Sequence, residues 1–134
     1  MSQPLHSQTS QSQSQARSLV VKCTVGAEAA ERCAQAFTVA ATAASTGTAT
    51  SLWLTGEASW FGLPGRAEEF ALPHSAPLAE LRDLVLTLGT LTVCTQCAQR
   101  RGIEPDQLLP GARIAGSASF VAEILRPDAQ ALVY

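Results

Sequence analysis

Short runs of β-forming residues alternate with helical segments along most of this 134-residue chain, and this alternation restricts the fold more than any other feature. Strands that are separated by helices pair in parallel through right-handed crossovers, and the helices then cover both faces of the sheet. The sequence therefore predicts an α/β fold in which a single domain contains a five-stranded, mainly parallel sheet. The strands are predicted at residues 18–24, 48–56, 90–94, 112–116 and 129–134.

Apolar residues recur at helical spacing in the segments between these strands. Helices are predicted at residues 27–46, 78–89, 95–102 and 117–127. In the last of them, a stripe of four apolar residues is expected to face inward, and these are Phe120, Val121, Ile124 and Leu125.

Composition is typical of a globular protein and argues against two classes of partner, nucleic acids and membranes. A hydrophobic fraction of 46% and a charged fraction of 15% suit one domain with a real core. A formal net charge of −2 argues against nucleic acid as a partner, because nucleic-acid binding favours a basic surface. No apolar run approaches the length of about 18 residues that a membrane span needs, so no membrane partner is expected.

The first seventeen residues, "MSQPLHSQTSQSQSQAR", differ in composition from the rest of the chain. They are rich in Ser and Gln and have no apolar stretch, so residues 1–17 are predicted to be a disordered tail that precedes a domain at 18–134. A secretory signal would need a basic start and an apolar core, and the stretch has neither. A cytoplasmic protein is expected, whose four cysteines stay reduced.

Two cysteines in "TLTVCTQCAQRRG" are the strongest chemical signal in the sequence. Cys94 falls where the third strand ends and a helix begins, a position at which backbone N–H groups favour a thiolate; Thr95 and Gln96 are expected to supply the nearest of these groups. Cys97 lies one turn further on the same helix face. It is expected to close a disulfide with Cys94, to resolve a persulfide, or simply to pack. Arg101, in the last turn, is explained by the helix dipole alone.

The other two cysteines have weaker cases. Cys33 shares a helix stripe with Phe37 and is expected in the core. Cys23 ends the first strand, and in a flavodoxin-like 2-1-3-4-5 strand order its thiol would approach Cys94. A structural zinc site is not expected, because the chain has a single Cys-x-x-Cys pair. A thioredoxin-like site is not favoured either, because the pair follows the third strand instead of the first.

The segment 57–77 contains the remaining polar and aromatic candidates. Glu57 follows the second strand at the edge of the sheet where the functional site is expected, and a functional and a plain surface role are equally open. His74 could orient a thiolate or a sulfur donor, although a surface histidine often has no such role. "SWFGLPG" is expected to expose Trp60 and Phe61 on a loop, as a subunit contact or a pocket wall.

Several stretches together resemble the DsrE/DsrF-like (DsrEFH-like) sulfur-relay family over residues 18–134. They are "TVGAEAAER", "LWLTGEA", "PLAELRDLVLTLG" and, above all, "TVCTQCAQRRGI" followed by "LLPGARIAGSASFVAEIL". The resemblance implies a compact α/β fold, frequent assembly into homo-oligomers, and a persulfide-carrying cysteine after the third strand, which matches Cys94. Family members vary in whether a second cysteine follows.

The sequence thus suggests a sulfur-relay protein, a candidate sulfurtransferase, that carries sulfane sulfur as a persulfide on Cys94. It would exchange that sulfur with donor and acceptor proteins, with Cys97 assisting and with no metal or organic cofactor. Two alternatives remain open at this point. One is a non-catalytic ligand-binding or assembly subunit, and the other is a dithiol redox, peroxiredoxin-like protein that uses Cys94 and Cys97.

Overall fold

A computed structural model describes residues 17–134, and the predicted tail lies outside this range except for Arg17. Nine main elements follow one another in the order β1 Ser18–Cys23, α1 Ala30–Ser45, β2 Ala49–Leu54, α2 Leu78–Leu88, β3 Thr90–Cys94, α3 Thr95–Arg100, β4 Arg113–Ala115, α4 Ser117–Ile124 and β5 Ala129–Val133. Short 3-10 turns join them, the longest at Gly56–Gly62. None of the helices between residues 17 and 134 combines the length and apolar character needed to cross a membrane.

The five strands form one parallel sheet in the order β4-β3-β2-β1-β5, which confirms the predicted fold class. The order differs from the 2-1-3-4-5 arrangement, because β2 lies between β1 and β3. The crossovers through α1, α2 and α3 step in one direction across the sheet. The chain then returns from β4 to the opposite edge through α4, so the sheet has helices on both faces.

The first face of the sheet forms the main core with α1 and α2. Alternate strand residues point into it, among them Val21, Leu52, Leu91 and Val93. Phe61 is 6% exposed and packs edge-on against Phe37 with ring centroids 5.9 Å apart. The prediction that the loop exposes Phe61 is therefore wrong, because a 3-10 turn directs its ring inward.

The aromatic neighbour in that loop is not freely exposed either. Trp60 is half-buried against the core, and the guanidinium of Arg66 lies 4.4 Å from its ring centroid. Local packing and a cation–π contact therefore account for Trp60 within one chain. Trp60 and Phe61 also line a cavity of about 310 Å³, so the loop forms a pocket wall, which is one of the two roles predicted for it.

A buried arginine holds the same loop to α2. Arg82 donates two parallel hydrogen bonds to the carboxylate of Glu68, at 2.9 and 2.8 Å, and a third to Asp83 at 3.0 Å. The hydrogen bonds from Arg82 to Glu68 are the main reason why the pKa of Glu68 is lowered to about 2. The loop is therefore tied to the helix by a charge-assisted pair.

The second face of the sheet is covered by α4, and its orientation differs from the predicted one. Val121 and Leu125 are 45% and 74% exposed, whereas Glu123 is buried. Phe120 does face the sheet and packs edge-on against Trp53 at 5.3 Å. The expectation of an inward Val121 and Leu125 is wrong because the helix turns the Glu123 carboxylate toward hydrogen-bond donors on the sheet.

Candidate functional site

Cys94 occupies the junction that the sequence predicted. It is the last residue of β3, its backbone is extended with φ −64° and ψ 132°, and α3 begins at the next residue. Thr92 and Cys94 face the same side of β3, opposite the core residue Val93. The Cys94 side chain is half-buried and thus open to a reactant.

This junction lies at a switch in the chain topology. After β3 the chain enters α3 on the first face, where Ala98 joins the core, whereas after the neighbouring β4 it enters α4 on the second face. The beginnings of the two helices are close, since a Cβ on Gly116 would lie 3.6 Å from Thr95 Oγ1. In parallel α/β sheets, a crevice of this kind outside the strand ends is where ligands bind.

Several neighbouring groups act on the pKa of the Cys94 thiol. Burial acts to raise its pKa, but hydrogen bonds donated to the Cys94 sulfur by the N–H and thiol of Cys97 and by the N–H of Gln96, together with the charge of Lys22, lower the pKa below the ordinary cysteine value. The backbone amides that lower the Cys94 pKa therefore belong to Gln96 and Cys97, whereas Thr95 and Gln96 were predicted. The Thr95 side chain instead lies beside the start of α4.

Cys97 is buried directly behind Cys94 and is held by the backbone. It is 8% exposed, and the N–H of Gly56 donates a hydrogen bond to its sulfur at 3.2 Å. Gly56 has φ 55°, and a Cβ there would lie 2.6 Å from the carbonyl oxygen of Thr24. Only glycine can therefore place this N–H against the Cys97 thiol. Both cysteines are free thiols.

Glu57 forms an ion pair with Arg101, which follows α3. Arg101 donates to one carboxylate oxygen of Glu57 from Nε at 3.0 Å and from Nη2 at 2.8 Å, and from Nη1 to the carbonyl of Cys97 at 3.1 Å. Arg101 thus does more than complement a helix dipole, because it ties α3 to the loop after β2. Glu57 is a partner of Arg101 and does not contact the Cys94 thiol.

Cys23 is not part of this site. Its side chain lies on the first face of the sheet, fully buried, and its thiol donates to the carbonyl of Val25 at 3.2 Å. The prediction that Cys23 approaches Cys94 is wrong, because β2 separates their strands and the two side chains point to opposite faces. Cys33 lies in the core as predicted, and a hydrogen bond with Cys23, assisted by burial, raises its pKa.

A family model for the DsrE/DsrF-like family matches residues 17–130. The chain belongs to the DsrE/DsrF-like family. A search among curated proteins finds no match. Among solved structures, the crystal structure of the ychN protein from E. coli is similar with a TM-score of 0.73 and 16% sequence identity, over 88% of this chain and 99% of that one. At this identity the likeness concerns the fold.

In this DsrE/DsrF-like chain, His74 lies far from the cysteine pair. It has φ 61° and contributes to the wall of an open cavity of about 660 Å³ between α1 and the loop before α2. Gln35, Thr38 and Tyr134 also line that cavity, and neither Cys94 nor Cys97 does. The structure therefore does not bring His74 to the Cys94 thiol. Residues 17–134 contain no group of three or more His, Cys, Asp or Glu side chains arranged for a metal ion.

One residue of the site was missed by the sequence analysis. Lys22 is half-buried on β1, and its ammonium lies 4.6 Å from the ring centroid of Phe120 on α4. A signal was present in the sequence, because Lys22 interrupts the apolar run "LVVKC" in the first predicted strand. A charge on an interior strand of a parallel sheet calls for a specific partner or role.

Proposed function

We propose that this protein is a persulfide carrier in which the Cys94 thiolate accepts sulfane sulfur and passes it on. The observation that carries the proposal is a half-exposed thiol whose pKa is lowered, against the effect of burial, by the Cys97 and Gln96 amides, the Cys97 thiol and the Lys22 charge. Membership of the DsrE/DsrF-like family suggests a sulfur-relay role in general terms and supports the same choice.

The proposed transfer is a thiol exchange in two steps. The Cys94 thiolate attacks the outer sulfur of a donor protein persulfide, a new S–S bond forms, and the donor leaves as a thiolate when its own S–S bond breaks. An acceptor thiolate then attacks the outer sulfur of the Cys94 persulfide and releases the Cys94 thiolate. A thiol with a lowered pKa is a good leaving group, so the features that activate Cys94 also favour release.

Cys97 assists this release in the proposed mechanism. Its sulfur accepts the Gly56 N–H bond, which leaves its own S–H available to donate to the Cys94 sulfur. Donation stabilises the Cys94 thiolate that leaves in the second step. The reaction is that of a sulfurtransferase, uses thiol chemistry alone, and calls for no metal or organic cofactor.

The same proposal concerns location and assembly. Free thiols persist in a reducing compartment, so we place the reaction in the cytoplasm. Members of the family often form oligomers, and we propose a homo-oligomer here. Light scattering at micromolar concentration should report a mass above that of one chain, and a monomer would contradict this part.

Mass spectrometry after treatment with a low-molecular-weight persulfide, which donates sulfane sulfur and leaves as a thiol, tests the relay. The expected result is a gain of one sulfur atom on Cys94, absent in Cys94→Ser and retained in Cys33→Ser, which serves as a matched control for loss of a thiol. The adjacent thiols also favour a second candidate, a dithiol redox protein, for which the wild type would instead lose two hydrogens as a disulfide forms. No change in mass would contradict both thiol functions and favour a binding or assembly subunit.

A further inference from the structure

Two basic side chains, Lys22 and Arg113, lie on the second face of the sheet, and a carboxylate neutralises only Arg113. Arg113 forms an ion pair with the buried Glu123 at 2.6 Å. Lys22 forms no ion pair with any carboxylate among residues 17–134. Its ammonium is held instead over the ring of Phe120, which leaves the positive charge uncompensated.

The register of the sheet places Lys22 and Cys94 on the same side. Lys22 pairs with Trp53, and Trp53 pairs with Thr92, so the three side chains share a row on the second face. Cys94 lies two residues beyond Thr92 on that face, toward the carboxyl end of β3. Two strand spacings place Thr92 about 10 Å from Lys22, and Cys94 lies about 7 Å further along β3, so the two Cα atoms are about 12 Å apart, a gap that a lysine side chain partly bridges. The effect of the Lys22 charge on the Cys94 pKa agrees with this placement.

We propose that Lys22 is a specificity-determining residue, which selects reactants that carry a negative charge beside the atom that Cys94 attacks. The recognised group is an oxyanion such as a carboxylate, held by the ammonium while the thiolate reacts. Lys22 can hold such a group because its ammonium is oriented by Phe120 and forms no ion pair with a carboxylate among residues 17–134. The proposal deepens the proposed function by naming the chemistry of the sulfur donor.

Alkylation by two similar reagents isolates this effect. Iodoacetate carries a carboxylate and iodoacetamide is neutral, and both attack the same Cys94 thiolate. The fraction of ionised thiol therefore cancels from the ratio of the two rate constants. A purely structural role for Lys22, or a role in lowering the Cys94 pKa alone, would leave this ratio unchanged.

Three variants complete the design. Lys22→Met keeps an unbranched side chain without the charge and should lower the iodoacetate-to-iodoacetamide ratio by about three- to tenfold at low salt. Lys22→Arg should keep the ratio within about twofold of the wild type, because it preserves a cation. Arg126→Met is the matched control, since it removes one exposed charge near the amino end of β5, away from Cys94, and should not change the ratio.

The wild type provides a second measurement should Lys22→Met fold poorly. Added salt should slow its reaction with iodoacetate more than its reaction with iodoacetamide. An equal ratio in the wild type and Lys22→Met, or a wild-type ratio that salt leaves unchanged, would overturn the proposal. The assay involves no sulfur transfer, so a preserved charge effect without persulfide formation would refute the relay alone.

Discussion

Glu123 offers the sharpest test of how the second face of the sheet is stabilised. Its carboxylate accepts hydrogen bonds from Ser51 Oγ at 2.6 Å, Trp53 Nε1 at 3.1 Å and Arg113 Nη2 at 2.6 Å. Burial acts to raise the pKa of Glu123, but the bonds from these three donors lower it overall, so the residue is a carboxylate at neutral pH. These bonds are what orient α4 on the sheet.

Replacing Glu123 should therefore lower the free energy of unfolding, and by more when more of its donors lose their acceptor. In Glu123→Ala the N–H of Trp53, a residue 1% exposed, loses its acceptor, which by itself lowers the free energy of unfolding by about 1–3 kcal/mol. Ser51 and Arg113 are more accessible and add less, so the expected total is about 3 kcal/mol. Glu123→Gln keeps an amide oxygen as acceptor and should lose only about 1 kcal/mol.

Urea unfolding followed by far-UV circular dichroism measures both variants without relying on Trp53 fluorescence. Trp53→Phe supplies the matched background, because it removes the N–H and leaves an aromatic ring against Phe120. In that background the penalty of Glu123→Ala should shrink by about 1 kcal/mol or more. Suppose that Glu123→Ala and Glu123→Gln lose the same free energy of unfolding, or that the loss for Glu123→Ala is the same in the Trp53→Phe background. Either result would refute the view that Glu123 stabilises the fold as the hydrogen-bond acceptor of Trp53.

Three further predictions follow from single contacts. Cys94→Ser should abolish the alkylation that is faster at neutral pH than that of an ordinary thiol because the pKa of Cys94 is lowered, whereas Cys97→Ser should retain most of it; equal losses, seen by stopped-flow, would contradict the assignment. Gly56→Ala should lower the free energy of unfolding by about 1–3 kcal/mol, since it combines a strained φ with a close carbonyl, and a neutral result in urea would argue against that turn. The depressed pKa of Glu68, about 2, means that its pair with Arg82 stabilises the fold above pH 4.5 and is lost as pH falls toward 2, so Glu68→Gln should flatten that part of the acid-unfolding curve while Glu69→Gln should not.

The fold class followed from the sequence because alternation of strand and helix is a local property. Each predicted strand has a counterpart in the sheet, and the boundary between β3 and α3 falls where the apolar run "TLTVC" ends. The order of the strands was not predictable in the same way. Nothing in the pattern distinguishes a crossover that places β2 beside β3 from one that places β1 there, since both are right-handed and helical.

Burial in α4 shows a second limit of sequence patterns. Phe120, Val121, Ile124 and Leu125 form a plausible apolar stripe, yet the helix buries Glu123 and exposes two of the four. The donors that decide this orientation lie on β2 and β4. A helical pattern describes the helix alone, so it cannot reveal that the surface opposite offers hydrogen bonds in place of apolar contacts.

Cys94 shows one local and one non-local effect. Its position is local, because the end of β3 and the beginning of α3 fix Cys94 and supply the amides of Gln96 and Cys97. Its charge environment is not local, because Lys22 comes from a strand two places away in the sheet and is oriented by Phe120. A Cys-x-x-Cys pair in a similar chain therefore identifies where the thiol lies but not which charges surround it. On this reasoning, exchanging only position 22 between a basic and a neutral residue should change the charge preference of the thiol while its location stays fixed.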